Sequence, residues 1–209
     1  MSNQEEQLTA LKDIRNMMDR SSRFISLSGL SGVFAGLTAL CGAFLAHREI
    51  NSYIKAGEFD SYNEWNLEFT LLEIGFSVLC IAIAGGLLFT YRKSRQKNLP
   101  FWDKTARNLM INLAIPLVAG GCFILSLLIA HPNTYGLIAP VCLLFYGLAL
   151  VNASKYTYTD IRFLGICEIV LGLISLFNIG YGLYFWATGF GLLHIFYGAL
   201  MYFKYERAK

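Results

Sequence analysis

The sequence predicts an all-α, polytopic integral membrane protein: a six-transmembrane-helix bundle preceded by an N-terminal cytoplasmic amphipathic helix. Three observations predict it. Of 209 residues, 56% are hydrophobic and 15% charged, where a soluble domain usually carries about 25% charged residues. The apolar residues cluster into six stretches close to the roughly 20 residues that cross a bilayer core. The 17 Lys and Arg residues fall almost wholly on one side of the alternating topology those stretches define.

Residues 1–23 are expected to form a separate polar helix, because Leu8, Leu11, Ile14 and Met18 recur at helical spacing among charged residues. It suits a membrane-surface or self-associating role, or a solvated extension of the first span. The first apolar run begins near Phe24 and is too long for a typical h-region, so no cleavable signal peptide is expected. Residues 24–209 then make one membrane domain, with spans at about 24–46, 67–91, 108–130, 135–152, 161–178 and 180–203.

Span one carries Ser28, Gly32, Ala35, Ala39, Gly42 and Ala46 at spacings of four and three. Small faces let helix backbones approach closely in lipid. This face is expected to pack within the bundle or at the seam of a homo-oligomer. Residues 48–66 read as an acidic, aromatic-rich connection suited to the headgroup layer. Span two holds Glu73, six residues inside, as a second intramembrane carboxyl candidate. A basic loop follows, with Arg92, Lys93, Arg95, Lys97, Lys104 and Arg107. Spans three and four contain Pro116 and Pro140, where a kink is expected.

Spans five and six are joined by a predicted tight turn, Phe177-Asn178-Ile179-Gly180. Each carries one ionisable residue near its middle, Glu168 and His194. Gly165 and Gly172 flank Glu168, and Gly191 and Gly198 flank His194, at offsets that share a helix face. Counted from the turn, the two lie at similar depth, which puts them within side-chain reach. Ionisable residues at the bilayer centre are costly and usually face protein or water. The pair reads either as a proton-relay or substrate-binding site, with Glu73 as an accessory, or as a neutral hydrogen-bonded pair that joins two helices. Desolvation disfavours charge on both groups, so the neutral pair is the expected resting form at pH 7.

Placing the N-terminus inside puts fifteen of the 17 basic residues on the cytoplasmic side, leaving Arg48 and Lys55 outside. The positive-inside rule therefore predicts a plasma (inner) membrane protein with both ends cytoplasmic. Glu73-Ile74 and Glu168-Ile169 also occupy the middle spans of two three-span halves, as inverted repeats would.

Other chemistries find no support. Cys41, Cys80, Cys122, Cys142 and Cys167 fall one per span with no CxxC pair, and read as buried apolar thiols. His47 and His131 lie at outer ends of spans, too few ligands for a metal site with Glu49 alone. No metal or other cofactor is expected. No H-E-x-x-H, G-x-S-x-G or P-loop occurs, so no enzyme is predicted. The net charge of +3 reflects topology rather than nucleic-acid binding. The expected partners are the lipid bilayer, a second copy through span one, and an unspecified protein partner. Two function classes remain: a proton-coupled small-solute or ion transporter using Glu168 and His194, or a non-transporting sensor, scaffold or partner subunit acting through the N-terminal helix and the basic loop.

Overall fold

A computed structural model describes residues 27–56, 61–98, 100–130 and 132–207, together with the isolated positions Gln7 and Phe24. The predicted N-terminal helix, the centre of the acidic connection and His131 lie outside the described residues. No strand occurs among the described residues. Six long helices follow one another: α1 Gly29–Ala56, α2 Ser61–Gln96, α3 Lys104–Ala130, α4 Ile138–Ala153, α5 Thr159–Leu176 and α6 Gly182–Tyr205. Five of them are long and apolar enough to cross a membrane, α4 as part of the 23-residue helical stretch Thr134–Tyr156. The sixth, α5, has 18 residues, about 27 Å of helix, and carries Asp160, Arg162 and Glu168.

The helices run past the apolar runs that predict them. α1 and α2 extend into the acidic connection, which shrinks to residues 57–60. Arg92, Lys93 and Arg95 belong to the last turns of α2, and Lys104 and Arg107 to the start of α3, so the basic loop is a short link between helix ends. Asn98 turns that link with φ 51°, a left-handed conformation that Asn tolerates. The turn after α5 forms as expected, and its Gly180 has φ 105°, open only to glycine without strain. Pro116 lies inside α3, but Pro140 sits in the first turn of α4, where no intrahelical N–H bond is lost.

Helix α6 lies at the centre of the bundle, packed on α1 along one side and on α4 and α5 along another. Helix α2 packs against α1 and helix α3 against α4, both with long rows of outward-facing apolar side chains. The small face of α1 is used inside the chain. A Cβ on Gly29 or Gly36 would strike the α6 backbone at Tyr202, Gly198 or Gly191, and one on Gly198 would strike α1 at Gly29 and Val33. Further along, Gly42 receives Val78 of α2. Gly32 and Gly42, on the face expected to pack within the bundle or at an oligomer seam, thus meet α6 and α2 inside the chain. The cysteines differ from expectation as well: Cys41, Cys80 and Cys122 point outward, and Cys142 and Cys167 are half-buried.

The chain ends converge at one end of the bundle. Phe24 donates its backbone N–H to Tyr156 at 2.7 Å, and Thr157 Oγ1 donates to Phe24 O at 3.0 Å. Lys93 Nζ donates to Leu27 O at 2.6 Å and pairs with Glu206 at 3.2 Å. Asp160 takes Lys204 at 3.1 Å and the Tyr205 hydroxyl at 2.6 Å. Burial, and then the Glu206 carboxylate, push the Tyr158 hydroxyl beside this cluster up to about 12, so it stays protonated at physiological pH. The residues preceding α1, the α2 end, the α4–α5 link and the α6 end therefore share one side, as six antiparallel spans require.

Candidate functional site: a carboxyl without a partner

The structure brings Glu168 and His194 together. Glu168 Oε1 lies 3.5 Å from His194 Nδ1, with both side chains withdrawn from solvent and Glu168 at 0% exposure. The route to this contact is not the one the glycine offsets suggest. Gly165 and Gly147 of α4 are so close that a Cβ on either would strike the other's carbonyl, and Gly172 packs on Leu144 and Pro140. The α5 glycine stripe therefore seats that helix on α4. Gly191 and Gly198 seat α6 on α1, against Leu40, Gly29 and Val33. Neither stripe faces the other.

The residue that admits the carboxyl is Gly189. A Cβ there would collide with Glu168 Oε2 and with Leu143 Cδ2. Gly189 lies in a π-helical segment of α6, Ala187–Leu193, directly before His194. Such segments shift the backbone bonding from i→i+4 to i→i+5 and often mark functional positions. Here His194 Nδ1 lies 2.9 Å from the carbonyl of Gly189, five residues earlier. A carbonyl only accepts, so Nδ1 carries the hydrogen and donates it. On the opposite side, Nε2 lies 2.7 Å from the Tyr146 hydroxyl of α4. With Nδ1 protonated, neutral imidazole accepts there and Tyr146 donates. His194 is thereby fully satisfied without using Glu168.

Glu168 is not satisfied. Among the described residues, neither carboxyl oxygen has a hydrogen-bond partner, and the same holds for Ser175 Oγ two turns along α5. A carboxylate in that place would be an enclosed charge with no donor among the described residues, so the acid form is the one this geometry accommodates. Towards the end of the bundle where Asp160 meets Lys204, the residues Leu150, Ile161, Leu164 and Met201 form an apolar plug, with Leu193 and Tyr197 packed against it. Towards the opposite end, Leu143 and Pro140 are fully buried. The site is closed in both directions.

Glu73 does not join the pair. It is exposed on α2, which packs on α1 rather than on α5, and it has no bond to Glu168 or His194 among the described residues. The environments of Glu73 and Glu168 also differ, one outward and one enclosed, so the Glu-Ile repeat does not mark equivalent sites. His47 is exposed, 2.9 Å from Asn51 Nδ2, with its ring 6.0 Å from that of Tyr184. No group of three metal-ligating side chains occurs among the described residues. Sequence reading missed Tyr146 and Gly189. Tyr146 looks like any span aromatic, and Gly189 differs from Gly191 in the same π segment only in the neighbours it meets, Glu168 and Leu143 rather than Leu40.

No family model matches the chain, and neither a curated protein nor a solved structure matches it.

Proposed function

We propose that this protein is a proton-coupled carrier of a small solute or ion in the plasma (inner) membrane, with both ends cytoplasmic, and that the structure is its closed form. One observation carries the reading. Glu168 is fully buried with both oxygens unpartnered, although a histidine stands 3.5 Å away. A pair kept only to join two helices would bond directly, whereas His194 directs both ring nitrogens elsewhere. Leaving a buried polar group unpaired costs about 1–3 kcal/mol. Intramembrane carboxyls held at such a cost are usually functional. Glu168 would take and release the coupling proton when the bundle opens to one side. His194, bonded to Gly189 and Tyr146 through its two ring nitrogens, keeps the imidazole plane fixed beside it. A proton bound by His194 itself would enter at Nε2, and the Tyr146 hydroxyl would then turn from donor to acceptor.

One observation favours the second reading, a non-transporting sensor or partner subunit: at 0% exposure no solvent reaches Glu168. Reconstitution separates the two. Liposomes holding the protein and an internal pH dye are given a pH step and a panel of small solutes. Solute-dependent proton movement that is lost in Glu168→Gln supports the carrier; no movement with any solute leaves the non-transporting reading.

A further inference from the structure

The chemistry around Glu168 also constrains what it exchanges for a proton. We infer, resting on the carrier reading above, that the cargo is a hydrophobic organic monocation, bound by the ionised Glu168 carboxylate and by the ring faces of Tyr146, Phe190 and Trp186.

The charge balance comes first. The elements packed against α5 are α4, the link 154–156 and α6. Helix α4 contains no charged residue, and its titratable groups are Tyr146 and Cys142. In the link, Lys155 is exposed and bonded to Asn152. Helix α6 offers His194, Tyr197 and, at the inner end, Lys204, which is committed to Asp160 at 3.1 Å. Lys204 lies ten residues beyond His194, about 15 Å along the axis. On α5 itself, Cys167 lies 3.6 Å from the Tyr197 hydroxyl, and Asp160 and Arg162 sit well over a turn below Glu168. Among the described residues, therefore, no counter-cation stands at the depth of Glu168. His194 is a poor substitute, because an imidazolium there would be as enclosed as the carboxylate and would have to reverse the Tyr146 hydrogen bond. Once Glu168 loses its proton, the compensating positive charge has to come from outside the chain.

The donor set argues against a bare metal ion. Hard cations of this kind take about six or more oxygen ligands. Glu168 offers two, the Gly189 carbonyl is taken by His194, and Ser175 Oγ is seven residues away, about 10 Å along the helix. What the site has instead is aromatic surface. Trp186, Phe190 and His194 recur every four residues on α6. The Trp186 and Phe190 rings are 5.2 Å apart, and Phe190 lies 4.9 Å from Tyr146 and 6.0 Å from His194. Trp186 and Phe190 are half-buried, so the column runs from the bundle's edge to the imidazole beside the carboxyl. Such faces attract organic cations within about 6 Å, most strongly when desolvated. The exchange balances as a simple swap. The cation displaces the proton from the Glu168 O–H, the carboxylate keeps the bonding pair, and one H⁺ leaves for each monocation bound.

The experiment uses the full chain in detergent, weakly buffered, with tetraphenylphosphonium as the probe and sodium as the inorganic comparison. Tetraphenylphosphonium should bind with release of about one proton per protein, and its apparent affinity should rise about tenfold per pH unit wherever the unliganded carboxyl is protonated. Glu168→Gln should lose both binding and release, and Glu168→Asp should keep release. Phe190→Leu should weaken binding at least several-fold while preserving the proton count. In wild type, the probe should also protect Glu168 from labelling by dicyclohexylcarbodiimide, which tests the site even if Glu168→Gln does not fold. Proton release by sodium but not by tetraphenylphosphonium would overturn the inference, as would probe binding without proton release or without protection. Binding with proton release but no flux in liposomes would leave the cation site standing and remove the carrier reading. Flux of another solute without probe binding would do the reverse.

Discussion

The carboxylate of Glu206 accepts the backbone N–H of Gly29 at 2.6 Å, so the α6 end caps the start of α1. Ser28 Oγ donates to the same carboxylate at 3.3 Å, and Lys93 completes the set at 3.2 Å. An acidic group there meets the unpaired N–H groups and the positive end of the helix dipole. The contact ties α1, α2 and α6 together beneath the apolar plug.

This cap yields the first prediction. Lys93 is only 4% exposed, and its loss leaves Glu206 and the Leu27 carbonyl short of a donor. Lys93→Met should destabilise the protein by about 3 kcal/mol, in the range for breaking a buried ion pair. The double variant Lys93→Met/Glu206→Gln should recover part of that loss. Denaturation in detergent checks the order; a double variant less stable than the single one contradicts it.

Gly189 should tolerate almost nothing. An added methyl meets the Glu168 carboxyl and Leu143 in a closed interior, whereas at Gly86 of α2 nothing lies within 4 Å. Gly189→Ala should cost about 1–3 kcal/mol, the usual penalty of overpacking. Gly86→Ala should be neutral or slightly stabilising. Equal melting temperatures for the two variants would show that the carboxyl does not rest on Gly189.

Tyr146→Phe removes one hydroxyl and leaves His194 Nε2 as a buried acceptor with no donor. A loss of about 1–3 kcal/mol is expected from that unpaired nitrogen. Imidazole ¹⁵N chemical shifts of labelled His194 should show the Nδ1–H tautomer in wild type. A wild-type Nε2–H signal is incompatible with the donation to Gly189.

Gly198 closes the helix pair at the centre of the bundle. A Cβ there meets the Val33 nitrogen at 2.6 Å and the Gly29 carbonyl at 2.7 Å, both backbone atoms that cannot swing away. Gly198→Leu should therefore prevent folding or abolish stable expression. Leu30→Ala, at a position 39% exposed on α1, should be mild. Comparable yields of the two variants would mean that α1 and α6 do not meet through this seam.

Membrane orientation can be read by labelling. In a background without the five native cysteines, a cysteine at Lys55 should react with an impermeant reagent from outside, and one at Gln96 only after permeabilisation. Both positions are exposed at opposite ends of the described helices. The opposite pattern would invert the topology.

The sequence by itself determined the six long helices, because long apolar runs must close their own backbone hydrogen bonds. It also picked out Glu168 and His194, since charge-capable residues stand out against apolar neighbours, and the turn at Gly180 returned them to a common depth. It misjudged the glycines: a stripe on one helix records that a close neighbour exists but not which one, and here the neighbours of Gly165 and Gly198 are α4 and α1. The π segment was equally invisible, because Ala187–Leu193 has nothing in its composition to distinguish five-residue from four-residue bonding. Only the tertiary structure decided that His194 spends its two nitrogens on Gly189 and Tyr146. That choice, made by the packing of α4 and α6, is what leaves Glu168 buried beside an imidazole with no hydrogen bond of its own.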